Sequence, residues 1–226
     1  MEAFKGLSFD FGDMKLVSDE RVQEYEREQE RREEQERKDR IERNYKTKSG
    51  APARYLEESL ETYKASPENE KVFSWIKGFV EAVEKGENKK NLIYLNGKFG
   101  TGKTHIGCGI IRRLGGQIIT SLELCITYDS CRDFKAEETR IQFLKKLCLN
   151  PVLVIDEVGK GIVSIEKEIL PYIVNEFYGS GNLLIFLGNG NNEEFYQIIG
   201  EAGKDRFNEV GITFTLIGES NRGRKQ

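Results

Sequence analysis

The segment from Gly97 to Thr104 constrains this chain of 226 residues more than any other feature. It satisfies the pattern G-x-x-x-x-G-K-[ST], follows an apolar run and precedes a helical stretch. Its three glycines allow backbone N–H groups to converge on phosphate oxygens, and the positive end of the following helix adds to the attraction. The segment therefore predicts a strand, a phosphate-binding loop and a helix, which together open a nucleotide-binding α/β domain.

The residues of this segment have separate expected roles toward bound ATP or ADP. Lys103 is expected to reach the β and γ phosphates, and Thr104 to coordinate Mg²⁺. His105 follows directly, and it is not expected to bind a metal because no other histidine and no cysteine lies at ligand spacing. The expected nucleotide-binding residues of this region are Gly97, Gly100, Thr101, Gly102, Lys103, Thr104 and His105.

A second motif places two acids at the end of an apolar strand. Residues 152–155 are followed directly by Asp156 and Glu157. Because open α/β sheets bind ligands at the carboxyl ends of their strands, these acids are expected beside the phosphate-binding loop. Asp156 is expected to hold Mg²⁺, directly or through water, and Glu157 to polarise the water that attacks the γ-phosphate. Asn189 follows the next strand and is expected to orient the same water.

Strand and helix signals alternate over most of the chain. Five strands separated by helices predict a parallel sheet that is covered on both faces. Ser66 as N-cap and Pro67 at the first helical position predict a helix that Gly86 ends. Further helices are expected over residues 136–147 and 165–178. The predicted strands are residues 92–96, 117–120, 152–155, 183–187 and 212–217.

The N-terminal region is different in kind. From Asp19 to Arg43 apolar residues are almost absent, and acidic and basic residues recur four positions apart, which favours a solvated single helix without an apolar face. A spacer or a partly disordered tail is the alternative. Residues 4–17 are more apolar, and we interpret them as a docking segment or as an arm that folds back on the core. The expected domains are residues 1–48 for partner binding and 49–226 for nucleotide chemistry.

Composition excludes several classes of protein. The four cysteines form no CxxC pair, so neither a disulfide framework nor a zinc site is indicated, and reduced thiols in a cytoplasmic protein are expected. No apolar stretch approaches about 18 residues, and the first residues do not resemble a signal peptide, so no membrane association is expected. The net charge of −3 argues against bulk electrostatic capture of nucleic acid, so any DNA contact requires a local basic patch.

Several segments together resemble the DnaC/DnaI-type replicative helicase loaders, which are AAA+ ATPases. The IstB transposition helpers are closely similar in the ATPase core. The resemblance covers about three quarters of the chain and rests on residues 48–55, 97–105, 153–159, 169–178, 200–207 and 219–222.

The resemblance implies roles that the residues alone do not. It implies an AAA+ P-loop core with a five-stranded parallel sheet between helices, preceded by a charged helical arm. Asn189 would be the sensor-1 residue, Arg206 the arginine finger offered to a neighbouring subunit, and Arg222 a sensor-2-like arginine that contacts the nucleotide. The chain differs from some loaders because its first 50 residues contain no cysteine or histidine that could form a zinc-binding domain. Only nine residues follow Ile217, so no helical lid is expected there.

The expected function is ATP-dependent loading of a hexameric replicative helicase of the DnaB type onto single-stranded DNA, with weak Mg²⁺-dependent ATPase activity in the isolated protein. Self-assembly through the arginine finger is part of this expectation. An IstB-like transposition ATPase and, from another class, a P-loop kinase remain alternatives, and the Asp156, Glu157 and Asn189 set favours water over a kinase acceptor. Expected DNA contacts are the cations Arg132, Lys135, Arg140, Lys145 and Lys146, with Tyr128, Phe134 and Phe143 as stacking residues; a solvated helical face is the alternative.

Overall fold

A computed structural model describes residues 19–133 and 135–218, with side chains from Gln23 onward. The predicted docking segment, Phe134 and Arg222 lie outside the described residues. The helices are α1 Asp19–Lys48, α2 Glu70–Glu84, α3 Lys103–Leu114, α4 Ser121–Ser130, α5 Arg140–Cys148, α6 Val163–Ser180 and α7 Asn192–Val210. The strands are β1 Leu92–Gly97, β2 Gln117–Thr120, β3 Val152–Val158, β4 Leu183–Gly188 and β5 Gly211–Leu216.

The five strands form one sheet in the order β2-β3-β4-β1-β5, and every neighbouring pair is parallel. Strand β1 pairs on both sides, with Leu92 opposite Leu184 in β4 and Gly211 in β5. All five predicted strands are present. Their observed ends lie within about two residues of the predicted ends, except that β3 extends to Val158. The expected five-stranded parallel sheet between helices is therefore confirmed.

The sheet separates two hydrophobic clusters because successive side chains of a strand point to opposite faces. In β1, Leu92 and Tyr94 belong to the cluster with α4, α5, α6 and α7. Ile93 and Leu95 belong to the cluster with α2, α3 and the end of α1. Strands buried on both faces explain the near-continuous apolar runs of the sequence.

Two helix starts differ from the prediction. Helix α2 begins at Glu70, because the backbone of Ser66 accepts the N–H groups of Asn69 and Glu70 in a turn that comes before the helix. The side chain of Asn69 bonds both the N–H and the carbonyl of Ile217, so it fastens the end of β5 instead of capping α2. Helix α5 begins at Arg140 after a capping box, four residues later than expected.

Contacts divide the chain into two compact units, residues 1–40 and 41–226. Within the first unit, the described part of α1 is a charged helix in which Lys38 pairs with Glu34 at 2.7 Å. Within the second unit, Tyr45 from the last turns of α1 is 2% exposed, and its hydroxyl donates to the carbonyl oxygen of Tyr55 at 2.7 Å. The contact boundary thus precedes the expected boundary at residue 48, because residues 41–48 of α1 belong to the second unit.

Helices that are both long and apolar enough to cross a membrane are absent from the described residues.

Candidate functional site

A cavity of about 500 Å³ opens at the carboxyl ends of the central strands. It is bordered by the loop between β1 and α3, the ends of β3 and β4, and a segment that precedes α2. Five of the predicted catalytic and metal-binding side chains line it, namely Lys103, Thr104, Asp156, Glu157 and Asn189. The sheet topology therefore brings together residues that lie up to 86 positions apart in sequence, as expected for the edge of an open α/β sheet.

The phosphate-binding loop owes its shape to glycine at position 102. Gly102 has φ 96°, a conformation that side chains rarely adopt, and a Cβ there would lie 2.4 Å from a ring carbon of Tyr63. The hydroxyl of Tyr63 donates to the carbonyl oxygen of Thr101 at 2.9 Å. Tyr63 therefore braces the loop from the segment before α2, and sequence reasoning missed it because no local pattern connects the two segments.

Lys103 lies at the start of α3, inside the loop. Its ammonium donates to the carbonyl oxygens of Gly97 at 2.6 Å and Lys98 at 2.9 Å, and the residue is 8% exposed. These contacts hold the ammonium against the curled loop that borders the cavity. The loop thus presents a cation and the N-terminus of a helix to the same space, which suits an anionic phosphate group.

Thr104 and Asp156, the two residues expected to bind the metal ion, are in direct contact. The hydroxyl of Thr104 donates to Oδ2 of Asp156 at 2.7 Å, across 52 residues of sequence. Burial raises the pKa of the Asp156 carboxyl above its ordinary value, and the hydrogen bonds from Thr104 and from the Glu157 amide partly oppose that shift. A buried carboxylate beside a hydroxyl is an oxygen ligand set of the kind that Mg²⁺ prefers, so these residues fit the metal ion expected from the sequence. Among the described residues, no cluster of three or more histidine, cysteine or acidic side chains suggests another metal site.

Glu157 has a backbone conformation that the sequence does not reveal. Its φ is 59°, the only positive φ of a non-glycine residue in the described chain. It lies in a β-bulge between Ile155 and Val158, and its amide donates to Oδ1 of Asp156 at 2.7 Å. The bulge leaves Glu157 exposed between two buried neighbours and on the wall of the cavity, where a base for an attacking water is needed.

Asn189 follows β4 directly and faces the same cavity. Its Oδ1 atom is buried and has no hydrogen-bond partner within the described structure. Buried polar atoms normally find a partner, so an unsatisfied amide oxygen on the wall of this cavity points to a water or ligand group at this position. This observation agrees with the expected role of Asn189 in orienting water.

The other expected nucleotide contacts fall into two groups. His105 lines the cavity, and its Nε2 lies 2.8 Å from the carbonyl oxygen of Ser59 and 3.1 Å from the hydroxyl of Thr62. Gly100 and Gly102 line the cavity, whereas Gly97 and Thr101 support the loop without lining it.

Arg206, the expected arginine finger, does not line the cavity. Its guanidinium donates to the carbonyl oxygen of Ala202 at 2.9 Å and lies 5.7 Å from the centre of the Tyr178 ring. Moreover, no arginine of the described chain lines the cavity. The structure therefore leaves the nucleotide site without an arginine of its own among these residues.

The expected DNA-contact residues do not all remain available. Tyr128 is 7% exposed, its hydroxyl donates to Glu168 at 2.6 Å, and the Arg140 guanidinium covers its ring at 4.5 Å. The prediction that Tyr128 stacks on bases is therefore wrong, because the ring belongs to the core. Arg140 is also engaged, by Asp129 at 2.7 Å. The cations that stay exposed are Arg132, Lys135, Lys145 and Lys146.

The backbone is similar to solved structures of replication proteins. The crystal structure of the DnaC helicase loader matches with a TM-score of 0.61 at 21% identity, over 73% of this chain and 99% of that chain. The DnaI structure matches with a TM-score of 0.59 at 19% identity, over 79% and 100%. The replication initiator DnaA bound to AMPPCP and single-stranded DNA matches with a TM-score of 0.57 at 21% identity, over 75% and 51%. No protein-family model and no curated protein matches the chain.

At these identities the likeness establishes the fold alone, which is a five-stranded parallel sheet between helices as in the matched replication proteins. The resemblance to DnaC/DnaI-type loaders is confirmed at this level, since the loader structures are covered almost completely and the expected order of motifs lies on the matching sheet.

Proposed function

We propose that this protein is an AAA+ ATPase that binds a replicative DNA helicase of the DnaB type and helps to place it on single-stranded DNA. The observation that carries the ATPase part is the convergence of Lys103, Thr104, Asp156, Glu157 and Asn189 on one cavity. Such a protein would work in the cytoplasm with the replication machinery.

The chemistry follows from the positions of these groups. ATP supplies a γ-phosphoryl group, and Mg²⁺ would neutralise charge on its oxygens where Thr104 and Asp156 lie 2.7 Å apart. Lys103 holds positive charge at the phosphate-binding loop. Glu157 and Asn189 line the same cavity and would orient and polarise a water molecule there, which supports hydrolysis over transfer to another acceptor.

Self-assembly is part of the proposal because the described cavity lacks an arginine. An arginine supplied from a partner accelerates phosphoryl transfer by about 10³–10⁵ in related enzymes. Arg206 lies on α7 and does not line the cavity of its own chain, so it would serve the site of a neighbouring copy. We expect the isolated protein to hydrolyse ATP weakly and the rate to rise with protein concentration.

Two comparisons support the loader part of the proposal. The chain covers 99% of the DnaC loader chain and 100% of the DnaI chain, but 51% of the DnaA chain that was solved with single-stranded DNA. The exposed cations between β2 and β3 could contact a DNA backbone. The charged helix α1 would contribute to binding a partner protein.

The decisive experiment separates nucleotide chemistry from partner binding. Size-exclusion chromatography with light scattering on the protein, a DnaB-type helicase, ATP and single-stranded DNA should show a complex. A transposase in place of the helicase tests the IstB-like alternative, and labelled ATP shows whether phosphate is released to water or transferred to an acceptor. A protein that binds only the transposase, or that phosphorylates an acceptor, would overturn the loader proposal.

Two variants test the residue roles in the same assay. Lys103→Ala should abolish nucleotide binding, since it removes the cation at the loop, whereas Glu157→Gln should bind ATP and fail to hydrolyse it. Hydrolysis at the parental rate by Glu157→Gln would show that Glu157 is not the base.

A further inference from the structure

A buried carboxylate lies under the loop that follows Glu157 and has no part in the chemistry above. Glu166, in the first turn of α6, is 1% exposed. Placing a carboxylate in the protein interior costs free energy, so its retention calls for specific partners.

The partners of Glu166 come from two other parts of the chain. Its Oε1 atom accepts the N–H groups of Gly159 at 3.0 Å and Gly161 at 3.1 Å, and it also accepts a short hydrogen bond from the hydroxyl of Ser121. Its Oε2 atom is buried without a hydrogen-bond partner in the described structure. One oxygen atom therefore accepts hydrogen bonds from both ends of the loop and from the start of α4.

The loop packs closely against this carboxylate at Gly161. A Cβ at Gly161 would lie 2.9 Å from the Ser121 hydroxyl and 3.0 Å from Oε1 of Glu166. A residue with a Cβ at position 161 would therefore have to displace the Ser121 or the Glu166 side chain, so glycine allows the loop over residues 159–162 to pack closely on Glu166.

This loop begins two residues after Glu157, which has φ 59° in the β-bulge of β3. Such a conformation persists only where the surrounding structure enforces it. The backbone of Glu157 is held on one side by β3 and on the other by the loop, whose N–H groups are bound to Glu166.

We propose that Glu166 is a positioning residue: it fixes the loop after β3 and thereby holds Glu157 in the geometry that hydrolysis requires. Because Ser121 is the first residue of α4, the same carboxylate connects α4 to the nucleotide site, so a displacement of α4 reaches Glu157 through Glu166. The inference rests on the proposed ATPase function and adds a residue that acts through Glu157.

The test uses the full chain and two substitutions with a matched control. Glu166→Gln keeps the shape of the side chain and removes its charge, and Ser121→Ala removes one of its three donors. Glu168→Gln makes the same chemical change two residues along α6 at an exposed position. Since a small misplacement of a catalytic group costs up to about 100-fold in rate, we expect Glu166→Gln to lower kcat by about 10- to 100-fold, Ser121→Ala to lower it less, and Glu168→Gln to leave it unchanged.

Two readouts distinguish positioning from general support of the fold. ATP affinity should stay at the parental level in Glu166→Gln, because the donors to Glu166 described above, Gly159, Gly161 and Ser121, do not belong to the phosphate-binding loop. In a double-mutant cycle, Glu166→Gln should have little further effect on the residual rate of Glu157→Gln, since both changes remove the same function. Equal rates for Glu166→Gln and Glu168→Gln, a joint loss of affinity and rate, or full additivity with Glu157→Gln would each overturn the proposal.

Hydrogen exchange separates this inference from the proposed function. The amides of Gly159 and Gly161 should exchange faster in Glu166→Gln than in the parental protein, and no faster in Glu168→Gln. If the parental protein hydrolyses no ATP, the proposed function fails whatever the exchange shows. If it hydrolyses ATP while these amides exchange equally in all variants, Glu166 does not hold the loop and only the further inference fails.

Discussion

The positive φ of Glu157 predicts that a glycine at this position makes the protein more stable than an alanine does, which is the reverse of the order in a helix. A residue with a Cβ in the left-handed region loses about 1–2 kcal/mol relative to its preferred conformations. Glycine avoids that penalty but gives up about 0.5–1 kcal/mol of conformational entropy on folding. At φ 59° the difference favours glycine, so Glu157→Gly should be more stable than Glu157→Ala by about 0.5–1 kcal/mol.

Glu168 provides the control. It lies inside α6, where glycine is about 1 kcal/mol less favourable than alanine. Both substitutions at Glu168 lose the hydrogen bond from Tyr128 equally, so only the backbone preference separates them. Glu168→Gly should therefore be less stable than Glu168→Ala, and the order at the two sites should be reversed.

Urea denaturation of the four nucleotide-free variants measures both differences, with the slope m compared to ensure that the same surface unfolds. All four can be studied without regard to activity, because the measurement concerns the folded protein alone. If Glu157→Gly were less stable than Glu157→Ala by the margin found at Glu168, the strained conformation would be refuted, and with it the geometric basis for positioning by the loop.

Three further predictions concern the unit boundary, the trans arginine and the thiols. Deleting residues 1–40 should leave the melting temperature of the remaining unit nearly unchanged. Deleting residues 1–48 should lower the free energy of unfolding by about 3 kcal/mol or more, because it removes the buried Tyr45. Equal melting temperatures for the two deletions would place the boundary at residue 48. Arg206→Ala should keep ATP affinity and lose concentration-dependent hydrolysis, and mixing it with Lys103→Ala should restore part of the rate, because the second variant still offers its arginine to an intact site. No recovery at any ratio would show that Arg206 is ordinary surface charge. A thiol reagent at pH 8 should modify Cys131 alone in the folded protein and all four cysteines after unfolding, because burial raises the pKa of Cys108 and of Cys148 to about 12 and keeps both protonated; rapid native labelling of more than one thiol would contradict the packing.

Much of the fold could be predicted from the sequence because its signals are local. The run from Leu92 into the glycine-rich loop and the run from Val152 to the acids each carry their own chemistry, and strands buried on both faces are visible as apolar runs. The carboxyl ends of parallel strands must meet at one edge, so the convergence of Lys103, Asp156 and Asn189 could be predicted from a parallel sheet.

The start of a helix and the accessibility of a single side chain were less predictable, because both depended on partners that are remote in the sequence. Ser66 and Pro67 have the residue types of a helix start, yet Asn69 bonds Ile217 across 148 positions and the helix begins at Glu70. Tyr128 has the residue type of a base-stacking platform, yet its ring is enclosed by the core and by Arg140. In both cases a tertiary contact outweighed the local preference.

The sequence by itself determined which chemical groups are available and along which strand each is carried, since residue type and hydrophobic period are local properties. Only the tertiary structure decided how those groups are held: Tyr63 braces the loop at Thr101 from 38 positions away, and Glu166 ties the loop after β3 to Ser121. The φ of Glu157 belongs to the same class. Such features depend on distances between segments that are remote in the chain, and these distances exist only after the sheet has brought the segments together.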